Sequence, residues 1–259
     1  MFNFTLRSVP VVLALCLTLG LSACATHERL KGDTPQKLFD EAKGLQTAGS
    51  WEQAIKGFEQ LESTFPFGRH AQQAQLEIAY TYYRMQEYAS AVAACDRFLK
   101  QYPNHAAADY ALYLKGVSTQ IEEDRFFAMF FERDLAGLDQ AATREAFEVF
   151  KNLVTRFPDS AYAPESRERM EKISNALARG DLGVARYYYR RGAVLAAANR
   201  AKSVMTVHPD SPVVEEALAI LMASYKQMGL DDLRRDTERV LRLNYPQSVW
   251  LSREYKAPS

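Results

Sequence analysis

The side chains of this sequence best suited to chemistry are tyrosines and arginines rather than acids, histidines or hydroxyl nucleophiles. In the helix-forming stretch Leu76-Glu-Ile-Ala-Tyr80-Thr-Tyr82-Tyr83-Arg84, three- and four-residue spacing puts Tyr80, Tyr83 and Arg84 on one stripe. Tyr110 and Tyr113 repeat the pattern on a corresponding stripe further along. Aromatic rings beside a guanidinium suit an extended peptide with aromatic side chains and a carboxylate end. The same spacing also serves ordinary packing between helices, so both uses stay open for each ring. Bond-making chemistry has no comparable support. There is no Gly-x-Ser-x-Gly elbow, no phosphate-cradling glycine loop and no His-Glu-x-x-His helix. His27, His70, His105 and His208 are scattered, and pairs such as Glu122-Glu123 and Asp231-Asp232 fall where solvated helix ends are expected. The expectation is a binding protein that is no enzyme and needs no metal or cofactor.

One covalent modification is legible. The apolar run Val11 to Leu21 is too short to span a bilayer, which takes roughly 20 residues, and has the length of a signal-peptide core. It ends in Leu21-Ser22-Ala23-Cys24, which resembles the lipobox of bacterial lipoproteins. Residues 1–23 are therefore read as a signal peptide, with Cys24 as the thiol that takes the lipid. Each buried methylene contributes about 0.8 kcal/mol, so a diacylglyceryl group with an N-acyl chain anchors essentially permanently. Residue 25 is Ala rather than the Asp that retains lipoproteins at the inner membrane. The resemblance thus points to the outer membrane, facing the periplasm, with residues 24–33 as a polar tether. Cys16 leaves with the signal peptide, and Cys95 alone remains as a small apolar core residue. Stability must come from helix packing.

Those helices announce themselves by repetition. Lys+Arg and Asp+Glu both total 32, so no net charge draws the chain towards nucleic acid or an anionic membrane. An aromatic or histidine precedes proline at Phe65-Pro66, Tyr102-Pro103, Phe157-Pro158, His208-Pro209 and Tyr245-Pro246, with prolines 37, 55, 51 and 37 residues apart. Twelve residues before the first four prolines stand Ala54, Ala91, Ala146 and Ala197, and four residues later come Phe58, Cys95, Phe150 and Ala201. Ala42, Ala79 and Ala185 take the small position of the preceding helix in units one, two and four. Arg234 and Glu238 make the fifth unit more polar. Period-two alternation is absent, so the fold class is all-α: a superhelical solenoid of about five tetratricopeptide-like helix pairs. Unit three carries an insertion near 117–136, holding Phe126-Phe-Ala-Met-Phe-Phe131, which is expected to pack back over the solenoid with a partly exposed face.

Longer strings carry a more specific resemblance. They are Phe65-Pro-Phe-Gly68, Gln72-Gln-Ala-Gln-Leu76, Ala79-Tyr-Thr-Tyr-Tyr83, Asp109-Tyr110-x-x-Tyr113-x-x-Gly116, the Phe-rich run to Arg133-Asp134, and Val184-Ala-Arg-Tyr187-Tyr188-Tyr-Arg-Arg191-Gly192-Ala193 through Asn199-Arg200. Over nearly the whole mature chain these are similar to the BamD family, the repeat lipoproteins of the outer-membrane β-barrel assembly machinery. The tether lacks the family's frequent Pro-rich start, and the tail from Ser248 to Ser259 differs from it. The resemblance implies that units one to three, 34–158, receive the terminal signal of unfolded outer-membrane proteins through Tyr80, Tyr83, Arg84, Tyr110 and Tyr113. It implies that units four and five, 159–248, hold the periplasmic domain of the barrel-forming subunit through Tyr188 and Arg200, with other assembly lipoproteins as further partners and 249–259 as a tail. A different repeat lipoprotein of the envelope, such as a pilus-assembly pilotin or a division factor, would share the lipobox and solenoid without the Phe-rich insertion. A wall hydrolase would need paired acids in a cleft.

Overall fold

Five times along the chain a residue in front of proline closes a helix. At Phe65, Tyr102, His208 and Tyr245 the backbone holds φ between −128° and −133° and ψ between 57° and 70°. The ring of the following proline denies these residues the α region. Their own N–H still bonds back into the helix, to Leu61, Phe98, Val204 and Leu241, and Phe157 does the same to Leu153 at 2.8 Å.

The computed structural model describes residues 34–130 and 141–257, of which 122–130 and 141–142 as backbone alone. The signal peptide, Cys24 and the tether lie outside the described residues, as do Arg133-Asp134 and the side chains of the aromatic run at 126–131. The described helices form five antiparallel pairs: α1 (Pro35–Thr47) with α2 (Trp51–Thr64), α3 (Arg69–Arg84) with α4 (Tyr88–Gln101), α5 (Ala108–Phe130) with α6 (Ala141–Arg156), α7 (Ala163–Arg190) with α8 (Val194–Val207), and α9 (Val214–Gln227) with α10 (Asp231–Asn244). A single 3-10 turn, Val249–Leu251, follows. No strand occurs among the described residues. Thr34 opens α1, its hydroxyl accepting from Lys37 N at 3.2 Å with Pro35 in the first turn.

Within four pairs the chain reverses through one residue in the left-handed region. Gly49, Gly192 and Gly229 take φ of 79°, 74° and 71°, and in unit two Gln86 fills the same place at 62°. The closing bond is the same in each: Ser50 N to Leu45 O at 2.9 Å, Glu87 N to Tyr82 O at 3.0 Å.

The alanines of the second helices are where the helix pairs meet. Ala54, Ala91, Ala146 and Ala197 are fully buried, as are Phe58, Cys95, Phe150 and Ala201 one turn on. Ala42, Ala79 and Ala185 face them from the first helices, at most 1% exposed. Gly116 takes this small position in unit three, against the ring of Phe150. First helices also touch across units, α1 on α3, α3 on α5 and α7 on α9, whereas second helices make no comparable contact. The stack therefore curves with its first helices on the inner face.

Two units run long, for different reasons. In unit three α5 reaches 23 residues, and the segment near 117–136 begins as its continuation up to Phe130. In unit four α7 reaches 28 residues, about twice the length of α9 at 14. Its N-terminal and middle turns give Ile173 and Leu177 to a core with Val117, Ala146 and Phe150, and its later turns give Leu182 and Ala185 to the core of units four and five. One helix thus bridges the two halves of the solenoid.

Candidate functional site: the inner face of units one to three

The inner face of the first three units holds a cavity of about 370 Å³ lined by Phe39 and Lys43 of α1, Gln73, Leu76, Glu77 and Tyr80 of α3, and Tyr110 of α5. The α3 residues recur at three, four and seven, one stripe of that helix. Phe39, Leu76 and the two tyrosine rings give apolar walls, and Lys43 and Glu77 stand beside them as fixed polar groups. Lys43 Nζ stands 2.7 Å from Glu77 Oε2 and 2.7 Å from Gln46 Oε1. Gln46 is only 4% exposed and its amide donates to Glu77 Oε2 at 3.0 Å and to Thr81 Oγ1 at 2.8 Å. The Thr81 hydroxyl is satisfied in turn by the Glu77 carbonyl at 2.6 Å. Every member of this network is bonded, so the ion pair stays put while the cavity beside it is open.

The residues singled out from sequence divide. Tyr80 and Tyr110 line the cavity. Arg84 is exposed at the rim, where Nη1 donates to Tyr80 Oη at 2.9 Å. Its guanidinium lies 5.2 Å from the Trp51 ring centre and 5.8 Å from that of Tyr80, which holds the charge on a rigid aromatic seat. Tyr83 instead meets Tyr88 edge to face at 5.9 Å and packs against the core around Val117, joining unit two to unit three. Tyr113 stacks on Tyr162 at 4.8 Å and donates to Glu165 Oε2 at 2.8 Å. Burial and that bond push the Tyr113 phenol up to about 12. Tyr110 also leans on Tyr162, at 5.7 Å, and burial raises its phenol further. Sequence reasoning missed Phe39, Lys43, Gln46, Trp51 and Glu77. A signal existed for one of them: Lys43 directly follows the buried Ala42, as Tyr80 follows Ala79.

On the other half, Tyr188 is half-buried, edge-on to Tyr187 at 5.7 Å and packed on the core of units four and five. Arg200 is exposed on α8 between the buried Ala197, Ala198 and Ala201, and makes no hydrogen bond or ion pair with the described residues. Cys95 is fully buried, and burial pushes its thiol up to about 12, far from a reactive thiolate.

One constellation invites a catalytic reading. Ser174 Oγ lies 2.9 Å from His208 Nδ1, and Asp181 Oδ2 lies 3.8 Å from His208 Nε2. The imidazole is only 7% exposed, and the carboxylate is beyond hydrogen-bond reach. The Ser174–His208 contact ties the end of α8 to α7. Among the described residues no three His, Cys, Asp or Glu could hold a metal, and no helix is long and apolar enough to cross a membrane.

Comparison with known proteins adds an independent line. The family model YfiO, described as outer membrane lipoprotein, matches residues 31–241. The outer membrane protein assembly factor BamD of Neisseria meningitidis serogroup B is 41% identical over 254 residues, 95% of each chain. That of Vibrio cholerae is 34% identical over 239 residues, covering 92% of this chain and 98% of its own. Among solved structures, the TPR2AB domain–pHSP90 complex of yeast Sti1 aligns at 11% identity with a TM-score of 0.46, covering 84% of this chain and 80% of that one.

Proposed function

Because this chain belongs to the BamD family of outer membrane lipoproteins, we propose that its inner groove in units one to three receives aromatic-ended segments of unfolded outer-membrane proteins. The chain is a non-catalytic assembly factor, and acylation of Cys24 is the means by which it is held at the membrane. Units four and five engage the periplasmic domain of the barrel-forming subunit, with Arg200 as the contact and other assembly lipoproteins beside it. Tyr188 acts by setting the end of α7 under that face.

The observation that carries this reading is the pairing of an apolar cavity with fixed charge. Phe39, Leu76, Tyr80 and Tyr110 offer an aromatic side chain its walls, while Arg84, which has no carboxylate partner among the described residues, stands at the rim for a carboxylate. Tyr83 and Tyr113 support the groove from behind by joining its units, and need not touch the ligand.

A photo-crosslinking residue in place of Gln73, on the groove wall, tests it. It should capture a peptide ending in phenylalanine, whereas the same residue in place of Lys151, on α6, should not. Equal capture at both places would remove the groove from the reading.

A further inference from the structure

The inner face of units four and five is built like that of units one and two, with one difference: it is occupied. Arg186 directly follows the buried Ala185 of α7, the place Lys43 holds after Ala42 in α1. Each cation reaches a carboxylate on the next first helix. For Arg186 that is Glu216 of α9, with Nε at 2.7 Å from Oε1 and a second bond from the guanidinium to the other oxygen. Across this pair lies the segment following the 3-10 turn. Tyr255 inserts to 3% exposure, donates to Glu216 Oε1 at 2.8 Å, and meets the rings of Tyr189 at 5.3 Å and Trp250 at 5.2 Å edge to face. Glu254 pairs with Lys226 of α9 at 2.8 Å.

The segment is held as a ligand is held. Residues 254–257 form no regular secondary structure, and among the described residues their backbone makes no hydrogen bond to other backbone. Side chains fix them: the buried tyrosine, Ala257 packed against the same core, and one exposed ion pair, the last worth little. We propose that the inner face of units four and five is a second docking groove, for a tyrosine-bearing segment of a partner protein, and that residues 254–257 are its resident, displaceable occupant.

A tethered occupant competes at an effective concentration on the order of millimolar, so removing its tyrosine should expose the groove to ligand in solution. The probe is a labelled synthetic peptide of residues 252–257, titrated by fluorescence anisotropy against the wild-type chain and against Tyr255→Ala. The peptide should bind the variant roughly ten-fold or more tightly than the wild type. Within the variant, the peptide carrying Tyr255→Phe should bind several-fold more weakly, for want of the hydroxyl to Glu216, and the peptide carrying Tyr255→Ala should not bind. Equal affinity for wild type and variant, no binding to either, or equal binding of the tyrosine and alanine peptides overturns the proposal. So does a Tyr255→Ala chain that has lost its cooperative thermal transition, since the segment would then be core and not occupant.

Discussion

Gly116 lies so close to Phe150 that a Cβ on the glycine would stand 2.6 Å from Phe150 Cε1. The ring is fully buried and has nowhere to go. A glycine in mid-helix is therefore the spacer that lets α5 and α6 touch. Gly116→Ala should destabilise the chain by about 1–3 kcal/mol in urea unfolding, despite the better helix propensity of alanine. Gly44 in α1 is the control, because a Cβ there meets nothing within 4 Å. Gly44→Ala should stabilise by up to about 1 kcal/mol. Loss of stability in both would show that the Gly116 effect is not one of space.

Gln86 offers the opposite opportunity. It holds φ of 62° where the equivalent turns use glycine. A side chain in the left-handed region costs roughly 1–2 kcal/mol, part of which glycine returns through its own unfolded-state entropy. Gln86→Gly should raise the urea midpoint by an amount equivalent to about 0.5–1 kcal/mol, with the slope unchanged. A lowered midpoint would refute the strain.

His208 sets a pH dependence. Burial holds its imidazole below the ordinary 6.5, against a weaker upward pull from Asp181. The unfolded chain thus binds the proton more readily than the folded one. Stability is fully present above pH 6.5 and is lost as pH falls through the folded value, at no more than about 1.4 kcal/mol per pH unit. Melting temperature should fall in this window for the wild type and stay flatter for His208→Asn, which starts lower because Ser174 loses its partner. Parallel curves would assign the acid sensitivity elsewhere, to groups such as Glu165 and Glu216, whose bonds to Tyr113 and Arg169 and to Arg186 and Tyr255 hold them below the ordinary carboxylate value.

Arg200 is exposed with no partner among the described residues, so its removal should leave the isolated chain's melting almost unchanged, within about 0.5 kcal/mol. Truncating one member of a charge pair buried at an interface costs about 2–5 kcal/mol of binding. Arg200→Ala should therefore lose the barrel-forming subunit in co-purification while melting like the wild type. Normal co-purification would move the contact off α8.

What could be read from sequence was local and periodic. The residues before proline end their helices, the repeated alanines are buried, and Cys95 is core, because each depends on neighbours a turn or two away. What escaped depends on distant parts of the chain. Gln46 bonds Thr81 across 35 residues, and Tyr255 bonds Glu216 across 39, and neither spacing leaves a periodic trace. The length of α7 escaped too, since Gly180 and Gly183 sit inside the helix and would read as breaks. Of the tyrosines, rings on the same helical stripe went to different tasks: Tyr80 to the cavity, Tyr83 to packing. Spacing sets the stripe, and only the neighbouring unit decides what each ring meets.

The groove itself is tested most directly by a fluorescence titration. A labelled peptide ending in phenylalanine is added to the wild-type chain, to Tyr80→Ala with Arg84→Ala, and to Tyr113→Phe. The double variant removes one wall of the cavity and the charge at its rim, both partly solvent-facing, so its helical circular dichroism should be preserved. Its affinity should fall at least about ten-fold, equivalent to about 1.4 kcal/mol, while Tyr113→Phe binds as the wild type does and only melts lower for want of the bond to Glu165. An unchanged affinity in the folded double variant would contradict the assignment of the inner face of units one to three as the binding groove.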